Sequence, residues 1–181
     1  DYFFFPPFTS KKILKKYKKK ITNINFIVGD FAENNRKNNF KKCLIMDNGT
    51  RSLSSLINKT VPYLKKINNV EFYVCIDHLS QKFKDQIYMS NNIVPVSGLK
   101  NMHEKLSEAD IVIARGGFNT ISECLVLKKP ALFFNEKNNP EVSENLRLLT
   151  KKYKLACLIN KGDWGKNFQK KLNSFIKKDS K

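Results

Sequence analysis

The chain has 181 residues, enough for one sizeable α/β domain. Hydrophobic residues make up 41% of it and include 14 Phe, which favours a packed core and argues against a disordered chain. The net charge is +18, yet only four of the 34 basic residues are Arg. Because nucleic-acid readers rely on Arg for bidentate contacts, this lysine-rich composition disfavours nucleic acid as a partner.

Cysteine and histidine spacing indicates neither a disulfide framework nor a metal site. The four cysteines include no CxxC pair, and each lies in an apolar stretch: Cys43, Cys75, Cys124 and Cys157. His78 and His103 lie far apart, and we predict an ordinary surface or loop position for each. Buried, reduced thiols are typical of cytosolic proteins. We therefore expect a cytoplasmic protein with no metal and no other cofactor.

No stretch of the sequence reaches the roughly 18 consecutive apolar residues that a membrane span requires. The opening DYFFFPPF is apolar but short and lacks a basic n-region, so it indicates neither a signal peptide nor an anchor. We attribute about half of the positive charge to the codon bias of an AT-rich genome, and the rest to attraction towards a nucleotide or an anionic membrane. Any membrane association is therefore expected to be peripheral, on the inner face.

Periodicity along the chain predicts alternating strands and helices. First, a helix fits 10–20, a short strand fits 24–28, and the polar stretch 36–42 is a linker or loop. The next strands are predicted at 43–46, 70–76, 92–96, 110–114, 130–134 and 154–159. Helices are predicted at 52–67 (bent or restarted near Pro62), at 79–88, over the segment carrying Met102 and Leu106, and at 119–127, 141–152 and 168–178.

The predicted strands are apolar throughout, a pattern typical of strands covered on both faces. Strands that alternate with helices form βαβ units, so we predict an α/β fold with a Rossmann-like, doubly wound parallel sheet. Ligands bind such sheets beyond the carboxyl ends of the strands. Three loops would form that edge, at 47–51, 96–102 and 114–120.

The most informative stretch is ADIVIARGGFNTISEC, in which Gly116 and Gly117 separate a strand from a helix. Glycines there let backbone amides approach a phosphate, and the helix N-terminus behind them carries partial positive charge. Thr120 and Glu123 have the spacing of a capping box, which is an equally good explanation of the local sequence. Neither a Walker motif nor a GxGxxG fingerprint is present, so NTP hydrolysis and dinucleotide binding are not indicated.

A longer stretch carries a family resemblance. ADIVIARGGFNTISECLVLKKPALFF followed by NPEVSENLRLL resembles the carboxyl-terminal domain of GT-B glycosyltransferases. Within these it is similar to the family 28 group, which includes the peptidoglycan enzyme that transfers N-acetylglucosamine from UDP to a lipid-linked acceptor. The resemblance spans about residues 28–159, and the positions that match its motifs are Arg115, Gly117, Thr120, Glu123, Pro130, Glu141 and Asn145.

The resemblance implies a UDP-sugar donor and a role for each site residue. Glu123 would accept hydrogen bonds from both ribose hydroxyls. Thr120 and the amides from Gly116 to Asn119 would hold the diphosphate, and Leu99 would pack near the uracil. Gly49 and Thr50 would line the other side of the phosphates. Arg115, Glu141 and Asn145 complete the predicted substrate-binding set.

Two departures from the family pattern bear on function. The loop after the first strand of the sheet reads DNGTRS, so close backbone approach there depends on Gly49 alone. Val142 occupies a position where the family usually has Gln, a residue associated with the sugar hydroxyls. The identity of the transferred sugar is therefore left open.

The resemblance also implies a domain organisation. Residues 1–35 would be the end of a missing amino-terminal domain with its linker, and 36–181 the carboxyl-terminal donor-binding domain of one half of a GT-B fold. The catalytic base and the acceptor site would lie on the missing half, so the catalytic residues are unknown and this chain alone should be inactive. The expected function is inverting, metal-independent transfer from a UDP-sugar to a lipid-linked or cell-surface glycan.

Two alternatives to this function remain open at the level of sequence. The first is a nucleotide-sugar hydrolase or epimerase on the same fold, which the Val142 departure keeps open. The second is a non-catalytic donor-binding subunit that docks on a separate partner chain.

Overall fold

The computed structural model describes residues 3–5, 21–23, 42–47, 51, 53–136, 138–150 and 157–179. Its strands are β1 (Phe3–Phe5), β2 (Ile21–Asn23), β3 (Lys42–Ile45), β4 (Glu71–Cys75), β5 (Ile93–Val96), β6 (Ile111–Arg115), β7 (Ala131–Phe134) and β8 (Cys157–Ile159). Its α-helices are α1 (Ser54–Leu64), α2 (Gln81–Tyr88), α3 (Leu99–Glu108), α4 (Phe118–Val126), α5 (Pro140–Leu148) and α6 (Phe168–Asp179). Short 3-10 helices lie at Lys161–Asp163 and Gly165–Asn167.

Strands β3 to β8 form one six-stranded sheet in the order β5-β4-β3-β6-β7-β8, and every pair of neighbours is parallel. The predicted Rossmann-like, doubly wound parallel sheet is confirmed. β3 and β6 are neighbours although two strands separate them in sequence. After β3, the chain adds β4 and β5 on one side of the sheet and then returns to add β6, β7 and β8 on the other side. Such a switch point is where ligands bind this class of sheet. β1 and β2 pair in parallel as a separate two-stranded sheet.

Predicted helix 10–20 and strand 24–28 lie outside the described residues, and the domain boundary near residue 35 stays a prediction. Helix α1 contains Pro62 and runs from Ser54 to Leu64 as one helix, so the predicted restart is wrong. Burial of an apolar face that includes Val61 and Leu64 stabilises this helix despite the missing proline N–H.

The core has two layers, one on each face of the sheet. Alternate residues of β3 point to opposite layers: Cys43 and Ile45 pack into one, Leu44 and Met46 into the other. Helices α1 and α6 cover the first layer, whereas α3, α4 and α5 cover the second. The helices behind two of the three predicted ligand loops, α3 and α4, therefore share one face of the sheet, whereas α1, which follows the loop at 47–51, lies on the other face. Among the cysteines, Cys157 alone is not fully buried, and all four are free thiols.

Helix α4 ends in a strained residue that offers a test of the fold. Lys128 has a φ of 52°, in the left-handed region, where it closes a Schellman motif. The amides of Lys129 and Lys128 donate to the carbonyls of Cys124 and Leu125 at 2.8 and 3.1 Å. We predict that Lys128→Gly raises the free energy of unfolding in urea by about 0.5–1 kcal/mol, because glycine adopts this φ without strain. Lys128→Ala removes the same charge without relieving the strain, and an equal gain with alanine would contradict the explanation.

Candidate functional site

The site begins where β6 ends and α4 starts, at the switch point of the sheet. Gly117 is the N-cap of α4, and the first helical turn closes with the Ile121 amide donating to the Gly117 carbonyl at 3.1 Å. A glycine N-cap has no side-chain oxygen to accept from the first-turn amides. The start of α4 therefore presents backbone donors and partial positive charge at the ligand edge.

The structure excludes the capping-box alternative for Thr120 and Glu123. A capping threonine precedes its helix, whereas Thr120 is the third residue inside α4 and Gly117 holds the N-cap position. Both side chains are largely buried, with 4% of Thr120 and 9% of Glu123 exposed. Two polar residues are thus held in the first turns of α4 without a capping role, while Asn119 beside them is exposed.

The two adjacent glycines have different structural environments. A Cβ added at Gly116 would lie between 2.5 and 2.7 Å from the Cγ, Cδ1 and Cδ2 atoms of Leu146 on α5, a distance that no real Cβ tolerates. A Cβ at Gly117 would meet the Arg115 Nη2 atom at an ordinary 3.4 Å. Gly116 is therefore required by helix packing, whereas packing leaves Gly117 free to be replaced.

Arg115 lies at the carboxyl end of β6, beside the start of α4. Its Nη1 atom is 3.1 Å from Glu136 Oε2 on the loop after β7, and its side chain is 18% exposed. Its Nε atom is buried and has no hydrogen-bond partner within the described part of the chain. A guanidinium next to a helix N-terminus strengthens the attraction for an anion.

Glu123 is paired with a residue on a different helix. His103 on α3 places its Nε2 atom 3.5 Å from Glu123 Oε1, with side-chain exposures of 38% and 12%. Burial raises the pKa of the Glu123 carboxyl, and the charge of His103 lowers it. The sequence predicted only an ordinary surface position for His103. A usable signal was its place one residue after Met102, which puts it at the border of the buried face of α3.

Helix α5 brings one predicted site residue into the interior and leaves another in solvent. Asn145 is 7% exposed, and its Nδ2 atom has no partner among the described residues, whereas Glu141 is exposed. Val142 is completely buried and packs in the same core layer as Leu146. The position that distinguishes this chain from the family pattern is thus filled by a core side chain.

Three predicted site residues remain, Gly49, Thr50 and Leu99. Gly49 and Thr50 lie outside the described residues, and Leu99 is the first residue of α3. The carboxylate of Asp47, which sequence reasoning missed, anchors the loop after β3. Its Oδ2 atom accepts from the Leu53 amide at 3.1 Å and from the Ser54 hydroxyl at 2.9 Å.

A second aspartate, Asp77, connects the loop after β4 to the loop after β5 at the carboxyl edge of the sheet. The Asp77 carboxylate after β4 accepts from the Ser97 hydroxyl, and from the Gly98 amide at 3.3 Å. The Ser97 hydrogen bond, ahead of the other contributions, holds the pKa of Asp77 below its usual range. Both Asp47 and Asp77 lie two residues after the end of a buried strand, which is the signal that could have found them.

The fold is of the GT-B type, as in several solved glycosyltransferases. The glycotransferase of kitacinnamycin has a similar fold, with a TM-score of 0.61 and 15% identity over 90% of this chain and 41% of that one. VinC in complex with DTDP gives a TM-score of 0.54 and 16% identity, over 77% and 34%. A variant of S. aureus TarM with Fondaparinux, alpha-GlcNAc-glycerol and UDP gives 0.54 and 16%, over 92% and 34%.

Residues 48–181 match the model of the glycosyltransferase family 28 C-terminal domain, and the chain belongs to this family. The resemblance to GT-B glycosyltransferases is confirmed, and a particular similarity to the peptidoglycan enzyme stays a prediction. The chain spans 34–41% of the length of these three solved structures. No curated protein sequence gives a significant match. Within the described ranges, none of the helices combines the length and apolarity needed to cross a bilayer.

Proposed function

We propose that this domain binds the nucleoside diphosphate of a UDP-sugar and is the donor half of an inverting, metal-independent glycosyltransferase. The observation that carries the proposal is Glu123, a largely buried carboxylate in α4 one turn behind an N-terminus that starts with glycine. A carboxylate and a helix N-terminus at this spacing complement a ribose and a diphosphate, respectively.

The diphosphate would lie against the first turn of α4. Backbone amides there would donate to phosphate oxygens, and the Thr120 hydroxyl and the Arg115 guanidinium would add further donors. As the bond to the sugar breaks, negative charge grows on the leaving diphosphate. Donors fixed in place by the fold stabilise that charge, which is the task that a metal ion performs in other transferases.

The ribose would bind at Glu123, whose two oxygens match two vicinal hydroxyls. Leu99, at the start of α3, would pack near the uracil. Two of the solved relatives are complexes with a pyrimidine nucleotide, VinC with DTDP and the TarM variant with UDP. These two complexes support a nucleoside diphosphate as the ligand of this fold.

The reaction as a whole would need a second domain that supplies the base and the acceptor site. We propose a lipid-linked or cell-surface glycan as the acceptor, at the inner face of the membrane, where the charge of +18 favours an anionic surface. A hydrolase or epimerase of nucleotide sugars is the second candidate, because Val142 is buried in the core and offers no polar group to the sugar. Release of UDP from a UDP-sugar without an acceptor, by the full-length protein, would favour that candidate.

Calorimetric titration of this chain with UDP tests the proposal. We expect saturable binding with a dissociation constant in the millimolar range or below, and weaker binding of inorganic pyrophosphate, which lacks the ribose and the uracil. Because a basic protein also attracts anions non-specifically, the titration is repeated in about 0.5 M salt, where long-range attraction is screened. Equal affinities for UDP and pyrophosphate, or no heat with UDP, UDP-GlcNAc and other nucleotides, would reject the proposal.

A further inference from the structure

The contact between His103 and Glu123 joins two helices at the ligand edge. His103 lies on α3, which follows β5, and Glu123 lies on α4, which follows β6; the Nε2 to Oε1 distance is 3.5 Å. The imidazole is the more exposed partner, with 38% of its side chain exposed against 12% for Glu123.

We propose that His103 is a positioning residue for the donor nucleotide, which orients the Glu123 carboxylate and keeps it ionised so that it accepts from both ribose hydroxyls. This inference rests on the proposed function. His103 would act through Glu123 and not on the reacting atoms.

The physical need for such a residue follows from the burial of Glu123. An ionised carboxylate accepts two hydrogen bonds from a diol, whereas a protonated one presents a donor at one oxygen and mismatches one hydroxyl. Burial favours the protonated form, and a cation within about 4 Å opposes it. His103 supplies that charge when it is protonated, and its ring is rigid enough to hold one carboxylate rotamer.

Three other cations near α4 have partners of their own. Arg115 pairs with Glu136, and Arg147 on α5 pairs with Glu144. The Lys129 ammonium donates to the carbonyls of Ser107 and Ala109 at the end of α3. Of these four cations, His103 is the one that lies within 4.0 Å of the Glu123 carboxylate.

The first test is a double-mutant cycle measured by UDP titration of the full chain. We expect His103→Ala to weaken UDP binding about fivefold, the scale of a partly exposed ion pair. In a Glu123→Gln background, the same substitution should change the affinity by less than about 1.5-fold, because the group through which it acts is gone. Lys100→Ala removes an exposed charge from the same helix and serves as the control for general electrostatic attraction.

The second test is the pH profile of UDP affinity, which a merely structural role of His103 would not move. Protonation of Glu123 should weaken binding as the pH falls. His103 lowers the pKa of Glu123, so its removal raises that pKa and the loss of affinity should begin at a higher pH in His103→Ala than in the unmodified chain. Protonation of the UDP phosphate affects both proteins alike and cancels in the comparison.

The outcomes separate this inference from the function on which it rests. If the unmodified chain does not bind UDP, both fail. A second outcome is that UDP binds and that Glu123→Gln weakens UDP binding, whereas a natively folded His103→Ala protein, as judged by circular dichroism, keeps the UDP affinity and its pH profile. That outcome would overturn only the role of His103. Equal losses from His103→Ala and Lys100→Ala would also overturn it, since general electrostatics would then suffice.

Discussion

Replacing Glu123 by Gln should weaken UDP binding to this chain by about 100-fold, the largest effect on binding that we expect from a single side chain. The carboxylate offers two charged acceptors to the ribose, whereas the amide offers one neutral acceptor and an NH₂ group that cannot accept. Hydrogen bonds to a charged group are worth about 1.5–3 kcal/mol each, so losing one and weakening the other gives a change of this size. Calorimetry with UDP measures it.

Two controls show whether the loss belongs to the site. Glu104→Gln makes the same chemical change at an exposed position of α3 and should leave UDP affinity unchanged. The Glu123→Gln protein should also keep its free energy of unfolding to within about 1 kcal/mol, because the lost pair with His103 is offset by removal of a buried charge. Undiminished UDP binding by a folded Glu123→Gln protein would show that the ribose does not bind at α4.

Most of the fold could be predicted from local sequence. Strands such as β4 and β6 are short apolar runs followed by polar residues and a helical period, and this alternation defines a parallel sheet. The predicted ends of most elements lie within two residues of the observed ones. The restart of the helix expected near Pro62 does not occur, because burial of one helix face outweighs the loss of one backbone hydrogen bond.

The site residues could be predicted only where they lie together in one contiguous stretch of sequence. RGGFNTISE indicates a ligand-binding turn, but the same letters fit a capping box, and only the observed start of α4 at Phe118 decides between them. The pairing of His103 with Glu123 depends on two helices packing side by side, 20 residues apart in sequence. The hydrophobic periodicity of a single helix does not predict a contact between two helices.

The same limit applies to the reason for Gly116. Its small size is required by Leu146, a residue on α5 that lies 30 positions later. From sequence, both glycines suggested close approach of the backbone to a phosphate. In the structure, one of them is explained by packing within the protein, so the case for ligand contact rests on Gly117 and the amides after it.

Because Gly116 and Gly117 have different structural roles, substitution of Gly116 is the change from which we expect the largest loss of stability. Gly116→Ala should lower the free energy of unfolding by about 2–3 kcal/mol, because its Cβ would overlap three atoms of the Leu146 side chain, which is only 2% exposed. Gly117→Ala should change it by less than about 1 kcal/mol, since its φ of −71° suits any residue and the nearest contact is ordinary. Chemical denaturation of the two variants measures the difference.

A third variant identifies the cause. Leu146→Ala removes the atoms that the new methyl group would meet and should itself cost about 2–4 kcal/mol through the cavity that it leaves. In the Gly116→Ala, Leu146→Ala double variant that cavity accommodates the methyl group, so the combined loss should be smaller than the sum of the single losses by about 1–2 kcal/mol. Strict additivity would mean that Gly116 is needed for a reason other than its contact with α5. In that case the approach of a phosphate to both glycines would again be the better explanation of the pair.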